Sequence, residues 1–260
     1  LAITDHDTTS GWDEASRAVG ALNVPFTLIR GTEFSCVHQD ERSGRTGLHL
    51  LGYLFDPLAR PLQDERTKLR LSRFGRGEAI VANLVEAGYP ISWQQVVDIA
   101  DGGTVGRPHI GQALIESGVV SSVTEAFSEI LCSTSPHYVR KQDMPVLDAI
   151  SMILQAGGVS VLAHPRARRR GKILDEASLE TLAEAGLAGI EVDHMDHAAE
   201  DRDALREIAS GLGLLTTGSS DYHGTRKSVR LGAETTSPEV LEQIIARASG
   251  IDPISSPREK

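Results

Sequence analysis

Short apolar segments recur along this chain, and each runs into a histidine, an aspartate or a glutamate. Leu1 to Thr4 leads into Asp5-His6-Asp7, and Phe26 to Ile29 leads into Gly31-Thr32-Glu33. Leu48 to Phe55 carries His49, and Val159 to Ala163 leads into His164-Pro165. Leu187 to Val192 contains Glu191 and runs to His194; Leu214 to Thr217 runs into Gly218-Ser219-Ser220-Asp221-Tyr222-His223. The segments do not alternate strictly, as expected of strands covered on both faces. Helical patterns separate several of them: Trp12 to Leu22, Ala177 to Ala185, Asp201 to Gly211 and Pro238 to Ser249. Strand-helix repetition with chemistry at strand ends predicts an α/β fold with parallel strands closed into a barrel.

The middle of the chain reads differently. Phe74 to Ala87 shows apolar residues at helical spacing and stops near Gly88. Ser92 and Trp93 open another helix, Pro108 suits the first turn of a third that ends at Gly118, and Val123 to Leu131 and Val146 to Gln155 follow. The expected organisation is a barrel domain over 1–61, an all-helical insertion over 62–150 and the rest of the barrel over 151–260.

Composition narrows the function. The net charge of -10 over 260 residues argues against attraction to a nucleic-acid backbone as the main source of affinity. Aromatic residues at 4% leave little for a stacking platform. Two cysteines, Cys36 and Cys132, exclude a disulfide scaffold and a cysteine-only zinc site. No apolar run reaches the ~20 residues of a membrane helix, and no signal peptide is visible. The expected location is the cytoplasm, with both thiols reduced. Two basic stretches stand out: Arg66, Lys68, Arg70, Arg73 and Arg76, and Arg166, Arg168, Arg169, Arg170 and Lys172 just after His164. The first reads equally well as a solvated face.

Nine histidines are present, several of them at strand ends beside carboxylates. Neutral imidazole and carboxylate are the usual protein ligands of zinc, iron and manganese. One such histidine means little. His6, Glu33, His49, His164, Asp221 and His223 on strands sharing one rim would converge on one pocket. Phosphoester hydrolysis suits such a pocket, because paired metals about 4 Å apart activate water and neutralise phosphoryl charge. His38 and His137 lack this context, and Trp12 and Trp93 read as packing residues.

These residues resemble the polymerase-and-histidinol-phosphatase (PHP) family of metallophosphoesterases. The resemblance runs through Leu1 to Thr8, Gly31-Thr32-Glu33-Phe34-Ser35, His49-Leu50-Leu51-Gly52, Arg107-Pro108-His109-Ile110, Val161 to Pro165, Gly189-Ile190-Glu191-Val192 and Gly218 to Gly224. It is strongest to the branch that holds nucleoside 3',5'-bisphosphate phosphatase and 5'-3' exoribonuclease. It implies a distorted seven-stranded (β/α) barrel with an inserted helical domain, and two to three divalent metals (Mn, Fe or Zn). The implied ligands are His6, Glu33, His49, His164, Asp221 and His223, with Glu33 bridging. Asp5, His6, Glu33 and His194 are the expected catalytic side chains, His194 alternatively orienting a ligand. Arg107, His109, Arg166, Arg168 and Glu191 are the expected phosphate or substrate contacts, Arg107 at a helix amino end.

The implied activity is hydrolysis of a nucleotide phosphoester by metal-activated water. The expected substrates are the 3'-phosphate of nucleoside 3',5'-bisphosphates and short 5'-phosphorylated RNA, with no obligate protein partner. The alternatives are a histidinol-phosphate-type phosphatase and a non-catalytic PHP module. The family's opening His-x-His pair is absent and is expected on a strand upstream of Leu1; a chain lacking it should hold metals weakly.

Overall fold

The computed structural model describes residues 1–40, 44–140, 142–224 and 229–256. The chain divides into two compact units, one of Leu1–Asp64 with Asp143–Lys260 and the other of Glu65–Gln142.

The first unit is an α/β fold whose curled, open sheet forms a distorted half-barrel flanked by helices. Its strands are β1 (Ala2–Ile3), β2 (Thr27–Asp40), β3 (Gly44–Tyr53), β4 (Met144–Pro145), β5 (Val159–Leu162), β6 (Gly189–Asp193), β7 (Leu215–Gly218) and β8 (Ile254–Ser255). The main path through the sheet is β1-β2-β3-β5-β6-β7, with β4 and β8 both paired to β2. Strands β5, β6 and β7 run parallel, as does the β1–β2 pair. The wholly parallel sheet expected from the sequence needs a correction at β3, which runs antiparallel to both β2 and β5. The cause is the connection. β2 and β3 follow each other with no intervening helix, and only a crossover of a dozen or more residues can return a strand parallel. Their register from Gly31↔Tyr53 to Asp40↔Gly44 makes a ladder longer than the short apolar runs suggest. Its outer half is carried by polar residues such as Thr46, Gln39 and Arg45.

The helices of this unit are α1 (Trp12–Gly20), α6 (Val146–Gln155), α7 (Glu176–Glu184), α8 (Ala199–Leu212) and α9 (Pro238–Arg247). Two of them start with a capping side chain: at α7 the Asp175 carboxylate accepts from Ser178 N at 2.9 Å, and at α9 Ser237 Oγ accepts from Val240 N at 3.3 Å. Helix α6 buries Val146, Ala149, Ile150 and Ile153, and belongs to this unit, as does β4. The insertion expected over 62–150 therefore ends earlier, at Gln142. The helical period shows that an amphipathic helix exists, not which core takes its apolar face. One core joins Ile29, Leu51, Tyr53, Val159, Val161, Leu215 and Ile244.

In the second unit, α2 (Arg60–Glu86) enters from the first and is followed by α3 (Trp93–Ala100), α4 (Arg107–Glu116) and α5 (Val123–Glu129). Helix α2 begins well before the predicted Phe74, because its first half is dominated by charged and polar residues and carries only a sparse buried apolar face at Leu62 and Leu69. Ile80, Leu84, Val96, Ile110, Leu114 and Leu131 form its core. Ser92 and Ser122 cap α3 and α5 by accepting from Gln95 N and Glu125 N, each at 3.1 Å.

Candidate metal centre

Glu33 stands at the middle of the site, and the backbone around it explains why. The β1–β2 pairing continues past β1: Glu33 N donates to Asp5 O at 3.2 Å and Asp7 N to Glu33 O at 3.1 Å. Two residues along β2 on the same face, Ser35 donates both its N–H and its hydroxyl to the buried Asp7 carboxylate, at 2.7 and 2.8 Å. Ser35 pairs in register with His49 on β3. Strand geometry thus places Glu33 and His49 on one face as diagonal neighbours, with Phe34 and Leu50 on the opposite face in the core.

Imidazoles converge on this carboxylate. His49 Nδ1 lies 2.6 Å and His164 Nε2 3.3 Å from Glu33 Oε1, while His6 Nδ1 lies 3.6 Å from Oε2. Ligand atoms of His6, Glu33 and His49 all lie within 4.8 Å of one another. Atoms bonded to one ion at about 2.1 Å stand roughly 3–4 Å apart; small side-chain rotations bring these three to that spacing, so they can hold a single divalent metal. The protonation states fit as well. Burial would raise the Glu33 pKa, but the His6 and His49 imidazoles and the hydrogen bonds from His164 and His49 outweigh it and hold Glu33 well below the usual range. Burial drives His49 down to about 4 against the pull of Glu33. A carboxylate and a neutral imidazole at pH 7 are the ligating forms.

The cluster continues through edge-on and tilted rings. Centroid separations are 6.3 Å for His223–His6, 4.8 Å for His6–His49, 5.3 Å for His49–His164 and 5.3 Å for His164–His194. All six expected ligands lie in this chain, Asp221 joining through His223 Nδ1 at 3.2 Å and His194 Nε2 at 3.5 Å. His223 Nδ1 also lies 2.8 Å from Asp221 O; donating there leaves Nε2 with a lone pair for a metal. His194 is fully buried, and its Nδ1 accepts from Asp196 N at 3.0 Å. Its proton therefore sits on Nε2, 3.5 Å from Asp221 Oδ2.

Glu191, at the end of β6, is buried and its Oε2 accepts from His164 N at 2.8 Å. Burial raises its pKa to about 7, with Glu33 and Asp221 adding to the rise and His164 opposing it. Glu191 thus acts on the backbone of His164. Asp5 is exposed, with Oδ2 toward Gly11. Arg168 grips Asp201 with Nε and Nη2 at 3.1 and 2.6 Å. The Arg166 side chain is half-buried, and that of Arg170 lies outside the described residues. In the helical unit, the Arg107 guanidinium donates to Leu131 O at 2.8 Å and lies 5.0 Å from the Phe127 ring. Burial lowers its pKa. His109 Nδ1 accepts from Gly106 N at 3.0 Å at the start of α4. Asp7 and His197 were not singled out for a role from the sequence. The available signals were the Asp5-His6-Asp7 run after the first strand for Asp7 and the strand-end group of Glu191, His194 and His197 for His197.

A curled α/β sheet with a His-Glu-His cluster at the ends and faces of β1, β2 and β3 defines a protein able to hold a divalent metal. No protein-family profile matches this sequence. The 3',5'-nucleoside bisphosphate phosphatase of Chromobacterium violaceum is 31% identical over 86% of this chain and 76% of its own length. The 5'-3' exoribonuclease Rnm of Salmonella typhimurium is 29% identical over 94% of this chain and 82% of its own. A solved structure from Bifidobacterium adolescentis, assigned as a metal-dependent phosphoesterase, superposes with a TM-score of 0.89 at 32% identity, covering 95% of this chain and 85% of that one. The chain belongs to the PHP-like metal-dependent phosphoesterases, in the group of the nucleoside bisphosphate phosphatases and 5'-3' exoribonucleases. Among the described residues, no helix is long and apolar enough to cross a membrane.

Proposed function

We propose that this enzyme removes the 3'-phosphate of nucleoside 3',5'-bisphosphates and hydrolyses short 5'-phosphorylated RNA, acting in the cytoplasm with two to three bound divalent metals. The observation that carries the reading is the unbroken run of imidazoles from His223 to His194 around Glu33. This run offers more ligands than one ion uses. The names of the two curated relatives supply the substrate class.

Divalent metals bound there would neutralise phosphoryl charge and lower the pKa of water. The protein's own part is to hold the donors. Glu33 stays ionised and spans two histidine neighbours; His49 stays neutral with its lone pair available. Glu191 fixes the His164 backbone, and His194 orients Asp221. Asp5, His6 and Glu33 are the proposed catalytic side chains. Arg166, the exposed edge of Arg168, and Arg107 and His109 at the amino end of α4 are proposed as contacts to substrate phosphates.

The test is phosphate release from adenosine 3',5'-bisphosphate with manganese, alongside a chelated sample and His164→Ala. Release of the 3'-phosphate, abolished in both controls, supports the proposal. Release only from histidinol phosphate refutes the nucleotide assignment.

A further inference from the structure

The turn that presents His164 is strained, and its hold comes from outside the turn. His164 has φ +32, in the left-handed region, where a non-glycine residue persists only when its surroundings fix it. Within the turn, Ala167 N donates to His164 O at 3.0 Å. Two further backbone donors point away from it. His164 N goes to Glu191 at 2.8 Å, and Arg166 N goes to His197 Nε2 at 3.2 Å. Pro165 between them has no N–H.

His197 has only one arrangement that satisfies both of its contacts. Its Nδ1 lies 2.8 Å from the Val192 carbonyl, which can only accept, so Nδ1 carries the proton. Nε2 is then the lone pair that receives Arg166 N–H. The side chain is 5% exposed and its ring lies 5.4 Å from that of His194. The imidazole is thus a rivet between the end of β6 and the turn after β5. From these contacts we infer that His197 is a positioning residue: it locks the strained His164 turn onto β6 and so sets the affinity of the centre for divalent metal. This rests on His164 being a metal ligand.

Two amides separate the two halves of the rivet. In His197→Gln the amide oxygen reaches the place of Nε2 and can accept Arg166 N–H. In His197→Asn the amide reaches only the place of Nδ1, which keeps the Val192 bond and loses the other. Manganese binding to wild type, His164→Ala and both variants is measured by calorimetry, with thermal unfolding in chelator as the measure of fold. The expected result is a loss of about 10–100-fold in affinity for the Asn variant, the range typical of removing a partner that orients a ligand. The Gln variant should stay within about threefold of wild type, with the two variants unfolding at similar temperatures. Equal affinities for Asn and Gln, with binding lost in His164→Ala, would overturn the positioning role alone. Undiminished binding in His164→Ala would overturn the ligand assignment and the positioning role together. Amide hydrogen exchange in wild type gives a check that needs no variant: Arg166 N–H is expected to be protected, and exchange at the rate of an open loop contradicts the rivet.

Discussion

Glu191→Gln probes the electrostatics of the centre without removing a contact. Glu191 is buried, and its acceptor role toward His164 N can pass to the glutamine oxygen. What disappears is a titrating group whose pKa rises from 4.5 to about 7 in the metal-free fold. The native state keeps a proton that the unfolded chain has released between those values. Stability therefore falls as pH rises from 4.5 toward 7 and is level above it. That gap corresponds to ~3 kcal/mol at about 1.36 kcal/mol per pH unit, of which ~2–3 kcal/mol accrues between about pH 5 and pH 8. Denaturant unfolding in chelator, run at both pH values, reads the difference between variant and wild type. The change of that difference with pH isolates the titration from any fixed offset. The variant should gain ~2–3 kcal/mol on wild type between the two pH values. A difference that stays flat would refute the raised pKa and the account of burial beside Glu33 and Asp221.

Three other outcomes follow from the same contacts. Asp7→Ala leaves the Ser35 N–H and hydroxyl without their buried acceptor and should cost about 3 kcal/mol by urea unfolding; a loss under about 1 kcal/mol would contradict that buttress. Gly250→Ala places a Cβ 2.5 Å from both Ala156 O and Asp56 N and 2.6 Å from Leu54 O. With backbone on three sides there is no side chain to yield, so the variant should be destabilised by at least about 1–3 kcal/mol, and wild-type thermal stability would refute the packing. Leu84→Ala, at a fully buried position in the helical core, should cost about 2–5 kcal/mol in the stability of the unit that contains it, read by chemical denaturation.

Much of the centre was legible because strand-end polar residues carry their chemistry with them. His6, Glu33, His49, His164, Asp221 and His223 stand out from the apolar runs beside them, and the sheet gathers them. What the runs did not show was direction. The Leu48 to Phe55 segment reads as one more strand in a parallel series, yet β3 turns back, and His49 reaches the cluster from mid-strand. Local patterning is blind to this because strand direction is set by the connection. Helix boundaries failed where charge masks period, as in the first half of α2. The supporting residues were the least visible. Asp7 and His197 act through backbone N–H groups of Ser35 and Arg166, and a hydrogen bond to a distant backbone leaves no trace in the sequence spacing. Asp201, which takes the Arg168 fork, was equally invisible in the spacing.

Metal binding by Glu33 and the histidines around it is measured by equilibrium dialysis against manganese followed by elemental analysis, on wild type, Glu33→Ala and His49→Ala. Wild type should retain at least about one ion per chain, and both variants should lose it while keeping their helical circular dichroism. Equal metal retention in all three proteins would contradict the assignment of this cluster as the metal centre.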